Sequence, residues 1–135
     1  MNSEPDSNQL LRLLRSVPLF RDAPERALEI AAAAVRKRVY EPNATVFQEG
    51  DQGEALYIVS AGLVKLSKVD LGGHEKTLAI LQSPEFFGEM ALLGETTRSA
   101  TATTLGEMHA YLLFNDDFRK LIADYPAISL NLNAT

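Results

Sequence analysis

The spacing of apolar residues predicts two helices at the start of the chain. Leucines and a valine follow helical spacing as far as Pro18, which predicts a helix over 9–17. A second helix is predicted after Asp22. This residue can cap it, Pro24 is tolerated in its first turn, and Glu25 stands three residues beyond the cap.

The C-terminal region has a similar helical pattern. Asn115 can cap a third helix, with Asp116 and Asp117 in the first turn, where the helix dipole favours negative charge. Pro126 ends this pattern, and residues 127–135 resemble the opening turns of another helix.

Between these segments, short apolar runs alternate with glycine- and proline-containing turns. Regular spacing of this kind favours an antiparallel barrel, sandwich or jelly-roll over a βαβ fold. Gly72-Gly73 separates two alternating runs and predicts a hairpin turn. The expected fold class is α+β, mainly β: an antiparallel β-roll or jelly-roll (double-stranded β-helix) flanked by N- and C-terminal helices. The predicted strands cover 38–41, 45–49, 56–61, 63–69, 76–81, 99–104 and 108–114.

Composition and charge exclude several kinds of site and partner. The 135 residues, 46% of them hydrophobic, are enough for one domain with a real core. The absence of cysteine excludes disulfides, thiolate zinc sites, iron–sulfur clusters and a thiol nucleophile. A net charge of −5 argues against tight nucleic-acid binding by this chain. With a polar N-terminus and no apolar run of about 18 residues, a soluble, cytoplasmic protein is expected.

The segment 86–100 carries the clearest indication of chemistry. Gly88 permits a tight turn, and the residues after it can form a short helical turn whose free amides attract an anion. Arg98 and the Ser99 hydroxyl add donors suited to a phosphate. Glu89 beside an anion site is explained if it accepts a hydrogen bond from a sugar hydroxyl of the same ligand. A ligand with one phosphate and a nearby ribose 2′-OH would satisfy both groups.

This segment resembles the phosphate-binding cassette of the cyclic-nucleotide-binding domain superfamily in its sequence FGEMALLGETTRSA (87–100). Further blocks follow the family order and spacing: EGDQGEALYIV (49–59) and GLVKL (62–66). The opening VPLF (17–20) is similar to that of bacterial members, the CRP/FNR regulators. The resemblance covers roughly residues 10–130, and such ordered blocks are far more specific than a lone motif.

The resemblance implies a role for each residue of the site. Glu89 would bind the ribose 2′-OH and Arg98 the cyclic phosphate. Ser99 and the amides near Gly88 would complete the phosphate site, and two leucines would line its apolar side. The implied ligand-binding residues are Gly88, Glu89, Met90, Ala91, Arg98, Ser99, Leu66 and Leu78. No catalytic residue, metal or cofactor is implied beyond the nucleotide itself.

The resemblance also implies a function and a domain organisation. The chain would be the cAMP-sensing domain of a bacterial CRP/FNR-family transcription factor. The full-length protein would be a homodimer that binds DNA through a C-terminal helix-turn-helix domain missing here, with no membrane partner. The expected boundaries are a disordered tail (1–8), the domain (9–130) and the start of a truncated dimerisation helix (131–135). Within the domain, they are a helical lead-in (9–37), the β-roll (38–114) with the cassette (86–100), and helices (115–130).

Two alternatives to this function stay open. The β-roll could bind a different effector or none and serve as a dimerisation or docking module. It could instead be the cyclic-nucleotide-binding regulatory domain of a kinase or a channel. Thr97 also departs from the family, which often has proline before the arginine; this loosens the loop but removes no ligand contact.

Several residues also have a structural interpretation. Arg98 could form an ion pair with Glu89 or Glu95 across a loop instead of binding a ligand. His74, beside the glycine hairpin, is expected in an exposed turn rather than as a haem ligand, and His109 is expected to pack or face solvent. No nucleophile–base arrangement is apparent, so no enzyme is expected.

The basic cluster Arg36-Lys37-Arg38 has a structural interpretation of the same kind. It follows the second predicted helix, where positive charge complements the helix dipole. We therefore expect a solvated helix end and not a nucleic-acid patch.

Overall fold

The chain folds into two antiparallel sheets with helices against the outer face of one of them. The computed structural model describes residues 7–89 and 97–133. Its helices are α1 (Ser7–Ser16), α2 (Glu25–Ala34) and α3 (Asn115–Asp124), with 3-10 helices at Pro18–Phe20 and Pro126–Asn133. Its strands are β1 (Arg36–Tyr40), β2 (Thr45–Phe47), β3 (Ala55–Ala61), β4 (Val64–Val69), β5 (Glu75–Leu81), β6 (Phe86–Phe87), β7 (Thr101–Thr104) and β8 (Met108–Phe114). This confirms the predicted fold class, mainly β with flanking helices.

The two sheets have the strand orders β1-β8-β3-β6 and β2-β7-β4-β5. All their pairings are antiparallel. The glycine hairpin joins β4 to β5 as predicted, and Gly73 adopts a φ of +83° that a side chain would disfavour. Thr97 forms an isolated bridge to Gln52, which brings the segment before β7 back to the loop before β3.

The apolar residues form two layers, one on each face of the first sheet. Leu56 and Ile58 of β3 pack with the helices in the outer layer. Tyr57 and Val59 alternate with them and face the space between the sheets. This period of two is what a strand buried on both faces requires. Phe87, at the start of the segment predicted to carry the chemistry, belongs to this inner layer.

Two predicted helix caps are wrong. The second helix begins at Glu25 with Pro24 at the cap position, and it has no side-chain cap. Asp22 lies two residues earlier at a φ of +63°, so its carboxylate does not cap the helix. The cap of α3 is Phe114, because β8 runs directly into the helix. Asn115 is therefore the first helical residue, and its side-chain amide donates to the carbonyl of Gly53 at 3.3 Å.

The basic cluster 36–38 does not lie at a helix end, so that prediction is also wrong. The second helix ends at Ala34, Val35 is extended, and the three basic residues begin β1. This strand is largely exposed, and within the described residues it lies at the sheet edge and pairs with β8 alone. Charge on an edge strand discourages pairing with another chain, which gives the cluster a structural role.

At the C-terminus, the predicted helical turns are a 3-10 helix that ends at Asn133. Residues 134–135, and 1–6 of the predicted tail, lie outside the described residues. None of the helices within the described ranges is long and apolar enough to cross a bilayer.

Candidate functional site

Six of the eight predicted ligand-binding residues line one cavity. It has a volume of about 140 Å³ and lies between the start of β7 and the β4–β5 hairpin. Met90 and Ala91 lie outside the described residues. The six residues at the cavity are Leu66, Leu78, Gly88, Glu89, Arg98 and Ser99.

The Arg98 side chain is turned into the protein rather than onto its surface. Only 5% of the residue is exposed. Its Nη1 donates to the carbonyl of Gly88 at 2.9 Å, and its Nη2 donates to the carbonyl of Ala55 at 2.8 Å. Its Nε is buried and has no hydrogen-bond partner among the described residues. The Nε–H is therefore a guanidinium donor without an acceptor in the described part of the chain.

Two aromatic rings lie close to the Arg98 guanidinium, where a buried arginine usually has a carboxylate partner. Its Cζ lies 4.2 Å from the ring centroid of Phe47 and 5.5 Å from that of Tyr57. Burial lowers the pKa of Arg98 from its ordinary value, and the nearby Tyr57 phenol partly offsets this effect. No carboxylate of the described residues lies within ion-pair distance of it, so the predicted alternative of a pair with Glu89 is not found. Glu95 lies outside the described residues.

The loop before β3 holds the backbone of Arg98 from both sides. The amide of Arg98 donates to the carbonyl of Asp51 at 2.7 Å, and the amide of Gly50 donates to the carbonyl of Arg98 at 2.8 Å. The Asp51 carboxylate in turn accepts a hydrogen bond from the amide of Gln48 at 2.8 Å. The loop therefore fixes the point from which the arginine side chain enters the core.

Gly88 is required by both backbone conformation and space. It has a φ of +83°, where a side chain is strained. A Cβ there would lie 2.8 Å from Arg98 Nη1 and 3.3 Å from the carbonyl oxygen of Ala55. Any larger residue would push against the guanidinium, so Gly88 makes room for Arg98 as well as accepting its hydrogen bond.

The other polar residues of the site are more accessible. Glu89 is half-buried and lines the cavity near Arg98, and Ser99 is exposed beside it. No hydrogen bond of either side chain is found within the described part of the chain, so both are available to a ligand.

A β-bulge brings the two leucines to the apolar side of the cavity. Leu66 pairs with Ala79 and Ser67 with Thr77, which leaves Leu78 as an extra residue in β5. Bulges of this kind redirect a side chain. Leu78 is 48% exposed although it lines the cavity. It therefore presents an apolar surface that a bound ligand would cover.

The histidines lie elsewhere. His74 is in an exposed turn, as predicted, with its Nδ1 3.5 Å from an Asp70 carboxylate oxygen. His109 is on β8, and its Nε2 contacts Glu107 Oε1 at 2.9 Å. Among the described residues, no group of three or more possible metal ligands is found. Neither histidine lines the cavity.

Three groups that build the site were not predicted from the sequence: the Phe47 ring, the Ala55 carbonyl and the Asp51 carbonyl. The two carbonyls belong to the backbone and have no signature in residue type. Asp51 stands within the motif EGDQGE, so the motif located the loop but not its contact with Arg98.

Known proteins share this fold and much of this sequence. The family model described as cyclic nucleotide-binding domain matches residues 37–125. The cyclic AMP receptor protein of Thermus thermophilus is 38% identical over 121 residues, which are 90% of this chain and 56% of that protein.

Two solved structures are also similar. The Thermus thermophilus catabolite activator protein gives a TM-score of 0.81 at 39% identity, covering 87% of this chain and 55% of that one. The regulatory domain of Toxoplasma gondii PKA, crystallised with cAMP, gives a TM-score of 0.83 at 33% identity. The match covers 90% of this chain and 48% of that one. The chain thus spans about half the length of these relatives. On the family match, the sequence identity and the shared fold, the chain belongs to the cyclic nucleotide-binding domain family.

Proposed function

We propose that the domain senses a cyclic purine nucleotide, specifically cAMP, for a bacterial CRP/FNR-family transcription factor in the cytoplasm. It acts as a non-enzymatic regulatory domain. The full-length protein is a homodimer, and DNA is bound by a C-terminal domain outside this chain. The observation that carries the proposal is Arg98, a buried cation at the cavity that has no carboxylate partner among the described residues.

The ligand's phosphate supplies the missing negative charge. A phosphate at the cavity accepts a hydrogen bond from Arg98 Nε, which is otherwise buried without a partner. Charge-assisted hydrogen bonds are about twice as strong as neutral ones, and weak screening in a buried site strengthens the attraction further. Ser99 and the amides of Gly88, Met90 and Ala91 complete the phosphate site.

The sugar and base are recognised by different chemistry. The Glu89 carboxylate accepts a hydrogen bond from the ribose 2′-OH, which reconciles an acidic group with an anion site. Leu66 and Leu78 cover an apolar part of the ligand. The exposed area of Leu78 leaves water on binding, which favours the bound state.

The signal leaves through the helices that follow β8. Ligand binding draws Arg98 towards the phosphate and shifts the population between two arrangements of these helices. Such a shift requires the ligand to bind the two arrangements with different affinities.

Calorimetry with cAMP and with cGMP tests the proposal. Arg98→Ala removes the charged hydrogen-bonding group, which costs about 2–4 kcal/mol, or roughly 30- to 1000-fold in affinity. Arg26→Ala is the matched control, because Arg26 is an exposed arginine of α2 that pairs with Glu29 and does not line the cavity. The cAMP affinity of this control variant is expected to equal that of the wild type. Absence of binding by either nucleotide at millimolar concentration would refute the ligand assignment.

A kinase regulatory domain is the second candidate, favoured by the similarity to the Toxoplasma gondii PKA structure. The identity with the bacterial Thermus thermophilus structure is higher, 39% against 33%, which supports the transcription factor. A helix-turn-helix sequence after residue 135 of the full-length protein would decide for the regulator.

A further inference from the structure

The ring of Phe47 lies against the face of the Arg98 guanidinium, with 4.2 Å between the ring centroid and Cζ. We propose that Phe47 is a positioning residue that holds Arg98 for nucleotide binding through this cation–π contact. The inference rests on the proposed function, since the binding it improves is that of the ligand's phosphate.

The hydrogen bonds of Arg98 leave its face to be stabilised by another group. Nη1 and Nη2 bond to the carbonyls of Gly88 and Ala55, which fix the edge of the guanidinium. No described carboxylate pairs with it, and burial disfavours its charge. An aromatic face attracts a cation, and this attraction grows when water is excluded. Phe47 therefore supplies stabilisation at the face that the hydrogen bonds do not reach.

The position of Phe47 is itself fixed by the fold. Thr45 pairs with Thr103 and Phe47 with Ala102, so β2 has a bulge between these pairs. The ring packs against Tyr57 and Phe87, with centroid separations of 5.6 and 5.8 Å. Because the ring is held on these sides, it favours one orientation of the guanidinium in the ligand-free protein, from which the nucleotide then draws Arg98 towards its phosphate.

Affinity for cAMP, measured by calorimetry, is the first test. Phe47→Leu keeps an apolar side chain but removes the aromatic face, and it should weaken binding about 3- to 30-fold. Phe47→Tyr keeps the face and should bind within about twofold of the wild type. Phe87→Leu is the control for loosened packing, because Phe87 belongs to the same aromatic cluster but does not stack on Arg98. The inference is overturned if Phe47→Leu binds cAMP as tightly as the wild type, or if Phe47→Tyr binds as weakly as Phe47→Leu. It is also overturned if Phe87→Leu loses as much cAMP affinity as Phe47→Leu.

Because Phe47 also lines the cavity, a second test separates stacking from direct ligand contact. The Nε–H resonance of Arg98 in the ligand-free protein, assigned by its loss in Arg98→Lys, senses the ring current of Phe47. It should move in Phe47→Leu and stay in place in Phe47→Tyr. An unmoved resonance in Phe47→Leu overturns the stacking.

These tests also distinguish the failure of the inference from that of the proposed function. If the wild type binds neither cAMP nor cGMP, the proposed function fails and the role of Phe47 in binding fails with it. If the wild type binds and Phe47→Leu binds equally well, only the inference fails.

Discussion

Gly88→Ala should weaken nucleotide binding by displacing Arg98 without removing any group that contacts the ligand. The new Cβ would lie 2.8 Å from Nη1, and ordinary contact begins at 3.4 Å, so Nη1 must move by about 0.6 Å (3.4 − 2.8). A shift of that size stretches the 2.9 Å hydrogen bond to the carbonyl of residue 88 to about 3.5 Å (2.9 + 0.6), where it is largely lost. A charged hydrogen bond is worth about 1.5–3 kcal/mol, so calorimetry should show cAMP affinity reduced by roughly 10- to 100-fold.

Gly73→Ala separates this effect from backbone strain. Gly73 has the same φ of +83°, but nothing lies within 4 Å of its added Cβ. Each substitution should cost about 1–2 kcal/mol of stability through the left-handed conformation, measured by urea unfolding. Only Gly88→Ala should also lose affinity. The steric argument is refuted if Gly88→Ala binds cAMP as tightly as the wild type, or if Gly73→Ala loses as much cAMP affinity as Gly88→Ala.

Three further predictions concern stability, measured by urea unfolding. Thr104→Val should cost about 2–4 kcal/mol, because the buried hydroxyl donates to the carbonyl of Glu41 and accepts from the amide of Ala44; an equal loss in Thr103→Val would contradict this. Burial raises the pKa of the Tyr111 phenol, so the folded state keeps the proton longer and the free energy of unfolding falls as pH rises past about 10. Tyr111→Phe should make that fall shallower, and an unchanged slope would count against the argument. A buried-core change, Leu56→Ala, should cost about 2–5 kcal/mol.

The positions of most elements could be predicted because their signals are local. Turn glycines and alternating apolar residues act within a few positions, and they located the β4–β5 hairpin. Local sequence signals were misleading where the structure depends on contacts with residues distant in the chain. Residues 36–38 resemble a helix end in sequence, but they form a strand because Arg36 to Arg38 pair with residues 110–112 of β8. Asp22 has the right residue type for a cap, but its backbone conformation places it outside the helix.

The residues of the site could be predicted by resemblance, whereas their contacts could not. The pattern of the cassette predicted Arg98 and Glu89 as ligand-binding residues, and the structure brings both to one cavity, while their role in binding stays a prediction. That Arg98 points inwards depends on two backbone carbonyls and on the Phe47 ring, which comes from a different strand. The presentation of Leu78 depends on a bulge that only the pairing of β4 with β5 defines.

The loop before β3 connects the site to the helices that follow β8. At one end, two backbone hydrogen bonds join Gly50 and Asp51 to Arg98. At the other end, the amide of Asn115 donates to the carbonyl of Glu54 at 3.0 Å. Because only a few residues separate these contacts, a displacement of the Arg98 backbone towards a phosphate must either break the first two hydrogen bonds or move the loop. Movement of the loop displaces the hydrogen-bond acceptor of Asn115, the first residue of α3. The loop is therefore a sufficient path for the proposed signal from Arg98 to the helices.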